Sequence, residues 1–237
     1  MNLQKPPVLL LSQPAGGKTS GLRNIKPDLA KRTLHINCDN KALPWVGKSS
    51  FVHHHAQCPT LLPQIIKQGA ASGQFDLIVV DTITVAMSEY VRKFINTTVP
   101  KYALNAAGEN VSDMNYVSIT KSGVVDGMGA WGRYGTLVSD IVAAANSSGV
   151  QVVIMGHLNA RPDEGGDIVY KCPLQGQIGK QGLEGLFSIV MHAMSHPLDK
   201  LQGDYAQEHD YLGTEESVAF TGSRYVFQVA HTKDTMH

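Results

Sequence analysis

Residues 8–19 read Val-Leu-Leu-Leu-Ser-Gln-Pro-Ala-Gly-Gly-Lys-Thr, an apolar run followed by a glycine-rich turn. Val8 to Leu11 are all apolar, which predicts a short strand buried on both faces of a sheet. Ser12 to Thr19 match the pattern G-x-x-x-x-G-K-[ST] except at the first position, where Ser12 replaces glycine. A small residue still fits there as long as its φ stays negative. The stretch therefore predicts a phosphate-binding loop that joins a strand to a helix.

Each part of this loop has a chemical task in nucleotide binding. Gly16 and Gly17 let the backbone approach phosphate oxygens and turn its amides toward them. Lys18 is expected to reach the β- and γ-phosphates of ATP, and the Thr19 hydroxyl to help hold Mg²⁺. A helix from about Lys18 onward would add the positive end of its dipole. The residues expected to contact the nucleotide are Ser12, Gln13, Pro14, Ala15, Gly16, Gly17, Lys18, Thr19 and Ser20.

The composition is that of an ordinary globular chain. Its 237 residues are 43% hydrophobic and 17% charged, which suits a single α/β domain over residues 1–237. No apolar run is long enough to cross a membrane, and no secretory signal is recognisable. Cys38, Cys58 and Cys172 form no closely spaced pair. This spacing favours a reducing cytoplasm and argues against a disulfide framework or a zinc site.

The net charge is zero, but the charges are unevenly spread. Residues 1–60 carry eight Lys/Arg and two acidic residues, whereas residues 161–237 carry six and eleven. Such a skew can cancel in the fold. It also suits a basic front that contacts the acidic back of the next subunit, or a basic region that contacts nucleic acid. We interpret it as an indication of assembly.

Strand and helix patterns alternate along the chain. Strands are predicted at Thr33–Asn37, Phe75–Asp81, Gly149–Met155 and Arg224–Ala230, and helices at Gln64–Ala71, from near Val85 and at Gly129–Asn146. This alternation predicts a mostly parallel sheet with helices on both faces. Right-handed crossovers place the carboxyl ends of the strands at one edge, where ligands bind. Residues 96–129, rich in Asn, Ser and Gly, are predicted to form an irregular excursion.

Two more strands are expected to bring polar side chains to that edge. The apolar run Leu77 to Val80 ends at Asp81, whose carboxylate is expected to hold the Mg²⁺ shell. Another apolar run ends in Gly156 and His157. A neutral histidine there can donate to the γ-phosphate or to the attacking water, although a structural role is common for a histidine at a strand end.

Four motifs together resemble a known group of proteins. They are Ser-Gln-Pro-Ala-Gly-Gly-Lys-Thr, Leu-Ile-Val-Val-Asp-Thr, the helical pair Trp131 and Tyr134, and Val-Ile-Met-Gly-His. In this order they resemble bacteriophage P-loop ATPases of the RecA-like superfamily, which are linked to single-strand annealing and recombination. The resemblance implies a RecA-like core that hydrolyses ATP with Mg²⁺ in the host cytoplasm. It also implies action on single-stranded DNA beside a recombinase or single-strand-binding protein.

The resemblance implies two further catalytic residues. Asp39 matches the acid that polarises the attacking water after the second strand, where the family more often has Glu; a turn-capping Asp is the alternative. Lys233 matches a cation that reaches the γ-phosphate of a neighbouring subunit, with Thr235 where the family tends to have Arg. A solvated lysine near the chain end is the alternative there. A site shared in this way implies a head-to-tail homo-oligomer, either a ring or a filament.

Two other functions stay compatible with the motifs. A small-molecule or nucleotide kinase would use the same loop, but the 96–129 excursion contains only Lys101 and Lys121 as basic residues, whereas kinase lids are rich in Arg. An ATP-gated DNA-binding or assembly module would bind ATP without turnover. His53, His54 and His55 are predicted to lie in a loop and not to bind metal, because adjacent side chains alternate in direction.

Overall fold

The computed structural model describes residues 5–22, 25–39, 52–55, 59–95, 126–162, 166, 168–197 and 223–228. The helices in these ranges are α1 (Lys18–Gly21), α2 (Pro27–Lys31), α3 (Leu62–Ala71), α4 (Ile83–Tyr90), α5 (Gly127–Ser147) and α6 (Gly176–Gln181). The strands are β1 (Val8–Ser12), β2 (Thr33–Asn37), β3 (Val52–His55), β4 (Leu77–Asp81), β5 (Gln151–His157), β6 (Asn159–Pro162), β7 (Ile168–Lys171), β8 (Ile189–Pro197) and β9 (Ser223–Gln228).

Seven of the strands in these ranges form one sheet, in the order β3-β2-β4-β5-β1-β8-β9, and β6 pairs separately with β7. Every neighbouring pair in the large sheet is parallel except β8 with β9. The carboxyl ends of the parallel strands therefore meet at one edge. This architecture confirms the predicted fold class, a mostly parallel α/β sheet of the P-loop NTPase type.

Alternating side chains of the strands bury an apolar cluster on each face of the sheet. The larger cluster joins Leu9 and Ile78 to residues of α3, α4 and α5. The smaller cluster joins Leu10 and Val79 to Ala30 of α2. Burial of an aliphatic side chain as complete as that of Leu9 contributes about 1.5–3 kcal/mol. Helices therefore pack against both faces of the sheet.

The long helix α5 begins at a side-chain cap. The Asp126 carboxylate accepts a hydrogen bond of 3.2 Å from the Gly129 backbone N–H, which satisfies one of the first amides of the helix. Buried residues then recur with the helical period at Tyr134, Leu137, Val138, Ile141, Val142 and Ala145. The helix predicted at 129–146 is confirmed and starts two residues earlier. Of the predicted excursion, residues 96–125 lie outside the described part of the chain.

One prediction about the elements needs correction, and one strand was missed. His53, His54 and His55 belong to strand β3, which pairs in parallel with β2 at the edge of the sheet; the prediction of a loop was wrong. Polar residues can occupy the outermost strand of a sheet. The sequence of β3 therefore lacks the alternating apolar pattern from which a strand is predicted. Strand β8 was not predicted, although it lies between β1 and β9. The helix predicted from about Lys18 is present as α1.

Candidate functional site

The loop between β1 and α1 depends on three residues without bulky side chains. The Gly16 backbone N–H donates to the Gln13 carbonyl over 3.0 Å and closes the turn. A Cβ atom at Gly16 would lie 2.8 Å from Ser12 Oγ, so a larger residue would displace the turn. Ala15 and Gly17 both adopt left-handed backbone conformations, with φ of 61° and 85°. The loop therefore has the backbone freedom that a phosphate cradle needs.

Lys18 folds over this loop. Its Nζ donates to Ser12 Oγ over 2.8 Å, to the Ser12 carbonyl over 3.1 Å and to the Gln13 carbonyl over 3.3 Å. The Ser12 hydroxyl in turn donates to the Gln13 carbonyl over 2.9 Å. Only 6% of Lys18 is exposed, so the ammonium is held inside the loop. Ser12, which stands where the pattern has glycine, thus binds the lysine directly.

Asp81 ends β4 and meets the first turn of α1. Thr19 Oγ1 donates to Asp81 Oδ2 over 2.8 Å, and His35 Nε2 lies 3.3 Å from the same oxygen. Asp81 is 3% exposed, and its Oδ1 is buried with no hydrogen-bond partner among the described residues. Burying a carboxylate oxygen without a hydrogen bond costs free energy, and a bound cation would offset that cost.

Magnesium fits this pair of side chains. It prefers oxygen ligands and commonly takes one or two carboxylates from the protein, with water and substrate phosphates completing its shell. Thr19 supplies a hydroxyl, and Asp81 supplies a carboxylate oxygen that has no hydrogen-bond partner in the described part of the chain. The described residues contain no group of three or more His, Cys, Asp or Glu side chains that could hold a metal, and a magnesium site of this kind needs none. Thr19 and Asp81 are the residues that would hold the ion.

The other two predicted catalytic residues of the edge are joined through two threonines. Asp39 Oδ1 accepts from the Thr82 hydroxyl over 3.0 Å and from the Thr82 backbone N–H over 3.2 Å. Thr82 Oγ1 lies 3.1 Å from Thr84 Oγ1, which lies 3.0 Å from His157 Nδ1. His157 also stands opposite Ser12 in the pairing of β5 with β1, beside the start of the loop.

The sequence that builds this site matches the AAA domain family over residues 4–225. The chain belongs to the AAA domain family. It is therefore a nucleotide-binding P-loop NTPase, as the loop and Asp81 indicated. No curated protein is significantly similar to it in sequence. In the described part of this AAA domain, no helix combines the length and apolar character needed to span a bilayer.

The AAA domain brings most of the predicted site residues to one edge of its sheet. The loop residues 12–19, Asp39, Asp81 and His157 all lie at or just after the ends of parallel strands. The side chain of Ser20 and all of Lys233 lie outside the described residues, so their predicted roles stay predictions. Sequence reasoning missed His35, Thr82 and Thr84. The sequence does contain a pattern that points to His35: polar residues alternate at Thr33, His35 and Asn37. In the structure this strand is buried throughout, so these polar side chains face the interior.

Trp131 and Tyr134 pack in the core. Tyr134 is buried, and its ring centroid lies 5.5 Å from that of Trp131 and 5.6 Å from that of Tyr90. Its hydroxyl accepts from the Gln175 backbone N–H over 3.1 Å. Burial raises the pKa of Tyr134 to about 12, despite the bond to Gln175. The pair therefore fixes α5 against α4 and the segment before α6.

Proposed function

We propose that this AAA domain hydrolyses ATP in the presence of Mg²⁺. The observation that carries the proposal is the contact of Thr19 Oγ1 with Asp81 Oδ2. It lies next to the buried Asp81 Oδ1, for which the described residues provide no hydrogen-bond partner. A hydroxyl and a carboxylate oxygen are side by side at the end of a phosphate-binding loop. Lys18 belongs to the same motif, and its ammonium group is buried against the loop. These are the parts that a phosphoryl-transfer site requires.

In the proposed reaction, the oxygen of a water molecule bonds to the γ-phosphorus. The bond from that phosphorus to the β,γ-bridging oxygen breaks, and ADP and inorganic phosphate form. Lys18 moves from the Ser12 hydroxyl to the phosphates and, with the loop amides, neutralises charge on the transferring group. A bound Mg²⁺ would supply further positive charge to the phosphate oxygens.

Asp39 is proposed to orient the attacking water. Support comes from its position directly after β2, next to the strand that delivers Asp81, and from its two hydrogen bonds from Thr82. These bonds hold the carboxylate at the edge of the sheet. His157 is proposed to act on the water or the γ-phosphate from the end of β5.

The proposed biological role is in phage DNA recombination or single-strand annealing, in the host cytoplasm. Support comes from the order of the four motifs that resemble phage RecA-like ATPases and from the basic region within residues 1–60. Single-stranded DNA is the proposed nucleic-acid partner, and a single-strand-binding protein or recombinase the proposed protein partner. A basic surface would bind DNA in a salt-dependent way.

A head-to-tail homo-oligomer is also proposed, with Lys233 acting on the nucleotide of the next subunit. The uneven charge supports it, because basic and acidic regions of neighbouring copies would attract each other. Turnover per subunit should then rise with protein concentration and fall with salt. A mixture of Lys18→Ala and Lys233→Ala proteins should recover some activity at mixed interfaces. A specific rate that is flat with concentration, from a protein that sediments as a monomer with ATP and DNA, would contradict this arrangement.

The test of the proposed function measures ADP and phosphate formed from Mg·ATP, with and without single-stranded DNA. Equal amounts of ADP and phosphate, formed faster with DNA, are expected. ATP binding without turnover would replace the proposal with an ATP-gated binding module. Transfer of the γ-phosphoryl group to an added nucleoside or small alcohol would replace it with a kinase.

A further inference from the structure

Four side chains form a continuous line of hydrogen bonds across the edge of the sheet. The line runs from Asp39, after β2, through Thr82 and Thr84, to His157 at the end of β5. Thr82 and Thr84 are 1% and 5% exposed, so water contributes little to their bonding. The His157 backbone N–H also donates to Thr84 Oγ1, over 3.3 Å. We call these four residues the threonine relay.

Each hydroxyl in the relay has one proton to donate, and this restricts the directions of its bonds. A carboxylate only accepts, so the Thr82 hydroxyl donates its proton to Asp39 Oδ1. The contact of 3.1 Å between the two threonine hydroxyls then needs the proton of Thr84. Thr84 therefore donates to Thr82, and it has no second proton for His157.

The remaining contact fixes the ring of the histidine. Thr84 Oγ1 can only accept from His157, so the Nδ1 that lies 3.0 Å away carries a proton. If Thr84 donated to Nδ1 instead, lone pairs would face each other between the two threonines. In the directed arrangement Thr84 donates once and accepts twice, from the His157 ring and backbone, which uses its whole capacity.

We propose that the threonine relay sets the tautomer of His157 to the form with a proton on Nδ1, so that Thr82 and Thr84 are positioning residues of the site. This inference rests on the proposed function for its consequence in turnover. With Nδ1–H directed at Thr84, the neutral ring presents Nε2 as an acceptor. Neutral His157 then accepts a hydrogen bond from the attacking water, and it donates to the γ-phosphate only when it carries a second proton.

The tautomer can be measured directly in the nucleotide-free protein. Nitrogen-15 NMR of protein labelled in histidine distinguishes a protonated from an unprotonated ring nitrogen, and a His157→Gln variant identifies the signal among the ten histidines. At a pH where the ring is neutral, we expect protonated Nδ1 and unprotonated Nε2. Protonated Nε2 with unprotonated Nδ1 would overturn the proposal. This readout needs no turnover, so it decides the relay even if the protein does not hydrolyse ATP.

Variants test the direction of each bond. In Thr82→Val, Thr84 loses its acceptor and can donate to Nδ1, so the tautomer should shift toward protonated Nε2. Asp39→Asn should keep the original tautomer. The Thr82 backbone N–H needs an acceptor, so the amide oxygen of the asparagine should face Thr82 and still accept from its hydroxyl. An unchanged tautomer in Thr82→Val, or a reversed one in Asp39→Asn, would contradict the relay.

Turnover provides the second readout. Thr84→Val should lower kcat about five- to tenfold, the factor for one lost hydrogen bond, with ATP affinity within about twofold of the parent. Thr84→Ser keeps the hydroxyl and should restore both kcat and the tautomer. The matched control is Thr33→Val, which removes a buried hydroxyl bonded to the Leu29 carbonyl at the opposite end of β2. An equal loss of kcat in Thr84→Ser and Thr84→Val would overturn the proposal, because the hydroxyl would then not matter. A loss of kcat in Thr33→Val as large as in Thr84→Val would also overturn it, because the effect would then be one of packing.

Discussion

Thr19 Oγ1 donates a hydrogen bond of 2.8 Å to Asp81 Oδ2, although the two residues are 62 positions apart in the chain. Thr19 lies in the first turn of α1, which follows β1, and Asp81 ends β4; β5 lies between β1 and β4 in the sheet. The contact therefore depends on parallel strands that end at one edge. It brings together the hydroxyl and the carboxylate that we propose to hold Mg²⁺.

Lys18→Ala should abolish detectable ATP turnover and weaken ATP binding. The change removes the one cation that the loop holds against the expected position of the β- and γ-phosphates. Phosphate release and ATP titration measure the two effects. Lys31→Ala is the control, because Lys31 is exposed on α2, away from the loop, and its loss should change neither. Turnover at the parent rate in Lys18→Ala would show that the loop is not the phosphate site.

His35→Leu should weaken the response to Mg²⁺ more than the response to ATP. His35 is fully buried, and its Nε2 lies 3.3 Å from Asp81 Oδ2, so its ring holds the carboxylate in a fixed orientation. Loss of such a supporting group raises the half-saturating metal concentration by about tenfold or more. Magnesium titrations of turnover at saturating ATP measure this. Thr33→Val, on the same face of β2, is the control and should leave the half-saturating Mg²⁺ concentration unchanged. The same unchanged value in His35→Leu would show that His35 serves only in packing.

Exchanging alanine and glycine should have different consequences at two neighbouring positions of the loop, because alanine is unfavourable at both. Ala15 already adopts φ of 61°, so Ala15→Gly should relieve strain and stabilise the fold by up to about 1 kcal/mol. Gly16→Ala should instead place a Cβ 2.8 Å from Ser12 Oγ, move Ser12 and release Lys18. We expect weaker ATP binding in Gly16→Ala but not in Ala15→Gly, measured by titration beside urea unfolding. Parent-like ATP binding in Gly16→Ala would contradict the described loop packing.

Stability should fall in alkaline solution through Cys172. Burial, with a smaller effect from Glu184, raises the pKa of this thiol well above its ordinary value of 9.0, and Lys18 opposes the change. A raised pKa in the folded state gives stability that is complete below the unfolded-state pKa and is lost as pH rises above it. Between pH 8 and pH 10, Cys172→Ala should lose about 1.4 kcal/mol less free energy of unfolding than the parent. Urea unfolding at the two pH values measures the difference, and equal losses would contradict it.

Local patterns predicted the elements whose residues alternate or run apolar by themselves. Strand β2 has the predicted bounds, 33–37, and the strand before the loop extends one residue beyond the prediction, to Ser12. Strand β3 carries three histidines and is held in place by its pairing with β2, so nothing in its own sequence marked it as a strand. Its place in the sheet is a property of the tertiary fold.

The site divides in the same way. Lys18, Thr19 and Asp81 belong to short motifs whose chemistry can be read directly from their residue types. His35 contacts Asp81 only because β2 pairs with β4 in a register that sets Asn37 opposite Asp81. Thr82 and Thr84 connect Asp39 to His157 only because β2, β4 and β5 end side by side. Such contacts between strands follow from register, which a single sequence does not display.

Asp81 and Thr19 form the metal end of the ATP-hydrolysing site that we propose, and the Asp81→Asn variant tests this role. Turnover and ATP affinity should be measured together, with Asp76→Asn as the control, because Asp76 pairs with Arg32 on the surface before β4. We predict that Asp81→Asn lowers kcat by about 100-fold or more while ATP affinity changes only a few-fold. The Asp76→Asn protein should keep the parent rate. An Asp81→Asn protein that hydrolyses ATP at the parent rate would contradict the account.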